Sequence, residues 1–283
     1  MSSTLSRTDV AAAPLHWGRL GLRGIAITYL GLMIVLPLTA IVKTGVAGGP
    51  AAFWSDVSNP VAFASLKLTL IVAVLMTVIN AVMGTLTAYA LVRYQFPGRL
   101  MLDAVADASF AIPTLVTGVM LVVLFGPQTT LGAWLGAHGM QIIFAKPGIV
   151  IALLFVTYPF VIRTVQPVLL ELSLDQEEAA HTIGASKWLA FRTIVLPNLA
   201  PAIISGSLLS FARALGEFGS IVVVAGNIPL RTLTAPVYLF GQIESQNVRG
   251  ASAVSVVLLA LSFSLMIIAD LLRNRVVTTN ARI

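Results

Sequence analysis

The chain has 283 residues, 58% of them hydrophobic and 10% charged, with a formal net charge of +6. Soluble domains carry about 25% charged residues, so this composition excludes an ordinary soluble enzyme and indicates an integral membrane protein. The chain contains no cysteine, which excludes disulfides, thiolate metal sites and thiol nucleophiles. No stripe of basic residues is interleaved with aromatics and no histidine has metal-ligand spacing, so neither a nucleic-acid partner nor a metal site is predicted.

Six apolar segments are long enough to cross a bilayer, since a helix needs about 20 residues to span its ~30 Å core. They are residues 22–42, 62–92, 104–125, 148–170, 200–225 and 251–272. This pattern predicts an all-α integral membrane protein with about six transmembrane helices. We expect one membrane domain, residues 22–275, between a cytoplasmic N-terminal segment (1–21) and a cytoplasmic C-terminal tail (276–283).

The placement of the cations predicts the orientation, because Lys and Arg are enriched on cytoplasmic flanks. If the six helices alternate in direction, ten cations fall on the side of the N-terminus: Arg7, Arg19, Arg23, Arg93, Arg99, Lys187, Arg192, Arg273, Arg275 and Arg282. Five fall on the other side: Lys43, Lys67, Lys146, Arg231 and Arg249. Both termini are therefore predicted to be cytoplasmic, which leaves Arg163 and Arg213 within the membrane.

Polar and aromatic residues mark three further features. The first outer loop, GVAGGPAAFWSDVSNP, predicts a short interfacial helix around Phe53 and Trp54. Asp103 and Asp107 lie one turn apart at the start of the third span, where they are expected to balance the helix dipole and nearby charge. Arg163, ~12 Å from the end of the fourth span by helical rise, is expected to snorkel toward water or support helix packing.

A charged stretch, QEEAAHTIGASKWLAFRTIVLP (residues 176–197), interrupts the apolar segments on the cytoplasmic side. Asp175 is predicted to cap a first short helix, with Glu178 completing a capping box. Gly184 is predicted to end that helix in a left-handed conformation. Ser186 is predicted to cap a second short helix that Pro197 ends. Because helices this short are marginal in water, both should dock against something.

Seven residues of this stretch match the EAA motif of bacterial ABC importer permeases at every position. They are Glu178, Ala179, Ala180, Gly184, Ile194, Leu196 and Pro197. Elsewhere RYQFPGR, FAIPT, PFVIRTVQPVLLEL and FARALGEFGSIVVVAGNIP resemble the sulfate/thiosulfate branch of that family and its T-type subunit, with the molybdate permeases close behind. The resemblance covers about residues 63–272.

The resemblance implies a permease subunit that moves sulfate or thiosulfate across the bacterial inner membrane by alternating access. The EAA loop, about residues 175–198, would be a cytoplasmic two-helix coupling loop whose seven matched residues dock on a separate ATPase. The implied partners are a second homologous permease subunit, two cytoplasmic ABC ATPase subunits and a periplasmic or extracellular oxyanion-binding protein. The chain has no GxxxxGK[ST] phosphate loop, so we expect a transport subunit that is no enzyme itself and binds no cofactor, with ATP and Mg used by the ATPase.

Two other functions stay open at this stage. A molybdate or tungstate permease of the same kind would transport a tetrahedral oxyanion too, and an ATP-independent secondary anion transporter would need no ATPase. The EAA residues also have a simpler interpretation, in which Glu178 and Gly184 only cap and stop a helix.

Arg213 and Glu217 are charged residues four apart in the fifth span, where charge is costly and usually faces the protein interior or a watery cavity. One interpretation is an intrahelical pair that supports packing. The other is an anion pathway in which Arg213 meets the substrate, Glu217 sets its position and Ser210 lies nearby.

Overall fold

The computed structural model describes residues 17–280, and these are helical apart from short connections. The helices are α1 (Trp17–Leu30), α2 (Leu36–Val46), α3 (Gly49–Val57), α4 (Pro60–Arg93), α5 (Arg99–Ala111), α6 (Thr114–Phe125), α7 (Thr130–Ala137), α8 (Lys146–Glu171), α9 (Leu174–Thr182), α10 (Lys187–Ala190), α11 (Leu196–Leu215), α12 (Gly219–Val224), α13 (Ala235–Glu244) and α14 (Val248–Asn280). Two π-helical turns, Gly31–Val35 and Phe191–Val195, join α1 to α2 and α10 to α11.

Within residues 17–280, five helical stretches are long and apolar enough to cross a membrane. They are Gly21–Val46, Pro60–Arg93, Lys146–Glu171, Lys187–Leu215 and Val248–Ile268. Counting the bent pair of α5 and α6 as one span gives a sixth. The predicted all-α architecture with about six transmembrane helices is confirmed.

The predicted third span, residues 104–125, is not one straight helix. α5 ends at Ala111, α6 begins at Thr114, and the two helices are bent by 117° at this break. The cause is Pro113, which lacks an N–H group and disfavours helical backbone in the residue before it. Ile112 accordingly has extended backbone, with φ −79° and ψ 122°.

The fifth span differs from its predicted limits, residues 200–225, at both ends. It begins earlier, because α10, the π-helical turn and α11 form one continuous helix from Lys187 to Leu215. It also ends earlier, because the chain leaves helical geometry after Leu215 and α12 starts only at Gly219. α12 is thus a separate short helix in the region expected to complete the span.

α8 lies at the centre of the bundle and contacts α4, α5, α6, α11 and α12. One buried cluster joins α4, α8 and α11 through Leu91, Val165 and Leu199. Because lipid is as apolar as leucine, the hydrophobic effect does not drive helices together within a membrane. Their association depends instead on close approach and van der Waals packing. Gly206 permits such an approach, because a Cβ on it would lie 2.8 Å from the Cα of Val161 in α8.

The end of the molecule away from the EAA loop carries shorter helices. The helix predicted around Phe53 and Trp54 is present as α3. An ion pair ties it to α14, with the Arg249 Nε 3.2 Å from the Asp56 Oδ2.

Residues 1–16 and 281–283 lie outside the described residues, together with the predicted cytoplasmic cations Arg7 and Arg282. α1 is already helical at Trp17 and α14 continues to Asn280. The domain limits at residues 22 and 275 therefore stay predictions.

Candidate functional site

The first arm of the EAA loop is α9, a nine-residue helix. Its N-cap is Ser173, whose hydroxyl accepts a hydrogen bond from the Asp175 N–H at 3.1 Å. The prediction that Asp175 caps this helix, with Glu178 in a capping box, is wrong because the helix already begins at Leu174. Asp175 lies in the first turn instead, where its charge complements the positive end of the helix dipole.

Gly184 forms the joint between the two arms of the loop. Its φ is +90°, so the predicted left-handed glycine is confirmed. The Gly184 N–H donates to the His181 carbonyl and the Ala185 N–H to the Ala180 carbonyl, both at 3.0 Å, which is the Schellman arrangement of a helix end. A Cβ at Gly184 would meet nothing within 4 Å, so backbone conformation rather than crowding favours glycine here.

The second arm begins as predicted, with the Ser186 hydroxyl accepting a hydrogen bond from the Leu189 N–H at 3.2 Å. The prediction that Pro197 ends a short helix is wrong, because this arm continues without a break into α11. In the π-helical turn the Leu196 N–H donates to the Phe191 carbonyl, five residues back. This wider turn accommodates a proline, whose N–H is missing, in the first turn of α11.

The seven matched residues divide between the surface and the helix packing. Glu178, Ala179 and Gly184 are exposed, whereas Ala180, Ile194, Leu196 and Pro197 are half-buried. Beside the glycine joint, Ile183 and Trp188 are 86% and 67% exposed. The Trp188 ring stacks on Phe191 with ring centroids 5.7 Å apart. Exposed apolar side chains at the end of a membrane protein form a surface suited to a protein partner.

Glu177 is a site residue that the sequence analysis missed. It is buried, unlike its neighbour Glu178. Its Oε1 lies 2.9 Å from the Arg93 Nη2, and its Oε2 accepts a hydrogen bond from the Tyr89 hydroxyl at 3.2 Å. The two adjacent carboxylates of the EAA loop therefore face different surroundings, one the bundle and the other the outside.

Arg213 and Glu217 form an ion pair, with Arg213 Nη1 2.7 Å from Glu217 Oε2. The Glu217 side chain is 1% exposed, and its Oε1 accepts hydrogen bonds from the Ser220 N–H at 2.9 Å and the Ser220 hydroxyl at 2.8 Å. Glu217 thus caps α12 and bridges the break between α11 and α12. The Arg213 side chain is 35% exposed, in contrast to the buried carboxylate that it pairs with.

Ser210 is fully buried and donates a hydrogen bond to the Thr157 carbonyl of α8 at 3.1 Å. Thr157 in turn accepts a hydrogen bond from the Asn80 amide of α4 at 2.7 Å. These contacts tie three spans together. In residues 17–280 no described hydrogen bond joins Ser210 to Arg213 or Glu217, and the anion pathway formed by these three residues stays a prediction.

Arg163 supports helix packing, which is one of the two roles expected for it. It binds both aspartates of α5, with Nε 2.6 Å from Asp107 Oδ1 and Nη1 2.9 Å from Asp103 Oδ1. Gln166 completes the cluster by donating to the same Asp103 oxygen at 3.1 Å. Asp103 and Asp107 therefore hold α5 on α8 rather than merely balancing the helix dipole.

Within residues 17–280, no three histidine or acidic side chains are grouped so that they could hold a metal ion. The loop presents exposed apolar side chains beside its glycine joint, and α11 presents a partly exposed cation, Arg213, close to its end.

Solved structures share this fold. A chain of a bacterial alginate ABC transporter, solved with an alginate pentasaccharide-bound periplasmic protein, aligns with a TM-score of 0.79 at 14% identity, covering 92% of this chain and 95% of that one. A chain of the inward-facing MetNI methionine ABC transporter aligns with a TM-score of 0.57 at 18% identity, covering 75% of this chain and 94% of that one. The fold and the EAA loop together define a multi-pass membrane protein of the ABC transporter permease class.

Sequence relatives define the family. Residues 80–278 match the binding-protein-dependent transport system inner membrane component family. The sulfate transport system permease protein CysT of Escherichia coli (strain K12) is 40% identical over 252 residues, covering 89% of this chain and 91% of that protein. The CysT protein of Synechocystis sp. is 40% identical over 250 residues, covering 88% and 87%. The chain belongs to this family and is a multi-pass inner membrane protein.

Proposed function

We propose that the chain is the permease subunit of an ATP-driven importer of sulfate or thiosulfate, working by alternating access. The observation that carries the proposal is the complete EAA motif on an exposed, glycine-jointed loop at one end of the bundle. The choice of anion is supported by relatives about 40% identical over most of both chains, which are named as sulfate transport permeases.

An external source of energy is needed for such transport. Moving a dianion inward against 100 mV costs ~4.6 kcal/mol before any concentration gradient, because each charge contributes ~2.3 kcal/mol. The chain has no phosphate-binding GxxxxGK[ST] loop, so we assign ATP and Mg to a separate ATPase and no cofactor to this chain. In this scheme the chain itself is not an enzyme.

The ATPase would dock on the EAA loop, where Glu178, Ala179 and Gly184 lie at the surface beside Ile183 and Trp188. Two ATPase subunits, a second homologous permease subunit and an external oxyanion-binding protein complete the proposed complex. This end of the bundle is then cytoplasmic, as are both termini, in agreement with the excess of cations on that side.

The anion would pass Arg213 within the membrane. Its pairing with Glu217 fixes one edge of the guanidinium, and the exposed remainder can offer N–H donors to an oxyanion. Ser210, buried at the contact of α11 with α8, would support the path by holding the helices rather than by touching the substrate.

Reconstitution of the chain with its co-purifying subunits tests the proposal. We expect ATP-dependent uptake of sulfate and thiosulfate that exceeds uptake of molybdate, and co-purification of an ATPase. Uptake favouring molybdate or tungstate would reassign the substrate. Uptake that survives ATP depletion but collapses with the proton gradient would indicate a secondary transporter and contradict the proposal.

A further inference from the structure

Arg93 joins three elements of the fold at the end that carries the EAA loop. It is the last residue of α4 and pairs with Glu177 of α9. The same Nη2 donates a hydrogen bond at 3.0 Å to the carbonyl of Leu172, which is the C-cap of α8. One guanidinium therefore connects the ends of two spans to the first arm of the loop.

Tyr89, one turn before Arg93 on α4, adds contacts with both arms of the loop. Its hydroxyl binds Glu177 in the first arm. Its ring meets the ring of Phe191 in the second arm edge-on, with centroids 5.3 Å apart. Both arms thus rest on the last turns of the same span.

The Arg93–Glu177 pair is buried, with side chains 9% and 11% exposed. Separating such a pair would leave a charge uncompensated in a medium of low dielectric, which is strongly unfavourable. α9, with nine residues, is also too short to stay helical on its own. A force applied to α9 is therefore expected to move α4 and α8 with it, because separating α9 from Arg93 would cost more free energy than moving the three helices together.

We infer that Glu177 is a positioning residue that makes α9 move as one body with α4 and α8 through Arg93. The inference rests on the proposed function, since it requires an ATPase that drives α9. Glu178 faces outward to the docking side and Glu177 faces inward to the spans. Glu178 would thus take part in docking the ATPase, and Glu177 would transmit the movement of α9 to the spans.

Two variants of the reconstituted complex test this inference. Glu177→Gln keeps the shape of the side chain and removes its charge. The double variant Glu177→Leu/Arg93→Met removes both charges, so no uncompensated charge is left buried to prevent folding. In both we expect an assembled complex whose uptake per ATP hydrolysed falls about 2- to 30-fold, the range over which single substitutions change coupling between sites.

Glu171→Gln is the matched control, because Glu171 is an exposed carboxylate at the end of α8. It should keep the wild-type ratio of uptake to ATP hydrolysis. A wild-type ratio in the double variant would overturn the inference, as would a proportional loss of uptake and ATP hydrolysis, which reports structural damage alone. A wild-type complex without ATP-dependent uptake would instead contradict the proposed function, so the two failures are distinguishable.

Discussion

Gly184 has a left-handed backbone, and the space around it is open. A substitution there therefore strains the backbone without creating a steric clash. Gly184→Val should be strained by about 1–3 kcal/mol, because a β-branched residue is disfavoured at φ +90°. We expect the variant to retain less ATPase in co-purification, or to hydrolyse ATP with reduced uptake.

Gly139→Val is the control for Gly184→Val. Gly139 has a similar φ of +75° and equally open surroundings, but it follows α7 at the opposite end of the molecule. Equal co-purification and uptake per ATP in the two variants would mean that the glycine joint has no special part in docking.

The proposed role of Arg213 in anion transport can be tested separately from its role as an ion-pair partner by neutralising Arg213 and Glu217 together. The double variant Arg213→Gln/Glu217→Gln retains side chains that can hydrogen-bond to each other and to Ser220 but removes the cation. We expect uptake to fall at least about fivefold with assembly intact, since a nearby cation contributes about 1 kcal/mol or more to binding an anion.

The exposed Lys67 of α4 offers a control cation elsewhere on the bundle. Lys67→Ala should leave oxyanion uptake near the wild-type rate. Unchanged uptake in the double variant would reject Arg213 as part of the anion pathway and favour its interpretation as a packing pair.

Some residue features of the EAA loop could be predicted from the sequence and others could not. The glycine conformation and the Ser186 cap were predictable because they depend on neighbouring residues alone. The different surroundings of Glu177 and Glu178 were not predictable, because one step along a helix turns a side chain by about 100°. The inward position of Glu177 is favourable because of Arg93 and Tyr89, both distant in sequence.

At the scale of elements, α11 and α8 are held at a distance that depends on Gly206. A Cβ there would meet the Thr164 hydroxyl, the Val161 Cα and the Phe160 carbonyl oxygen, two of which are backbone atoms that cannot easily give way. Gly206→Ala should therefore destabilise the protein by about 1–3 kcal/mol through overpacking. A lowered Tm of the purified protein would measure this.

Gly216→Ala is the matched control for Gly206→Ala, because a Cβ at Gly216 meets nothing within 4 Å and its φ is −96°. Its Tm should stay close to the wild-type value. An equal decrease in both variants would show that close packing of α11 on α8 is not what Gly206 provides.

Apolar segments long enough to span the membrane were predictable for every span, whereas the interruptions were not. A proline such as Pro113 can end, kink or begin a helix, and the choice here depends on α6 packing against α12. Gly118 permits that packing, since a Cβ on it would lie 2.8 Å from the Ser220 carbonyl oxygen. Pro197 shows the converse case, in which a wider turn lets the helix continue.

For the whole molecule, orientation in the membrane can be tested directly because the chain has no cysteine. Ile183→Cys places a thiol beside the glycine joint, and Arg231→Cys places one in the exposed connection between α12 and α13. In intact cells a membrane-impermeant maleimide should label only Arg231→Cys. In inverted vesicles stripped of the docked ATPase it should label Ile183→Cys, and the reverse pattern would contradict the cytoplasmic placement of the EAA loop.

The continuity of the second arm with the fifth span has a mechanical consequence. Lys187 and Arg213 lie 26 residues apart on one helix, a lever of ~39 Å at 1.5 Å per residue. A tilt of about 10° around the docked end would displace the far end by about 7 Å, more than the length of a helical turn. A small movement of a docked ATPase would thereby produce a larger displacement of the Arg213 guanidinium at the other end of the helix. The π-helical turn, which lies near the docked end, would set how much of that movement is absorbed before it reaches Arg213.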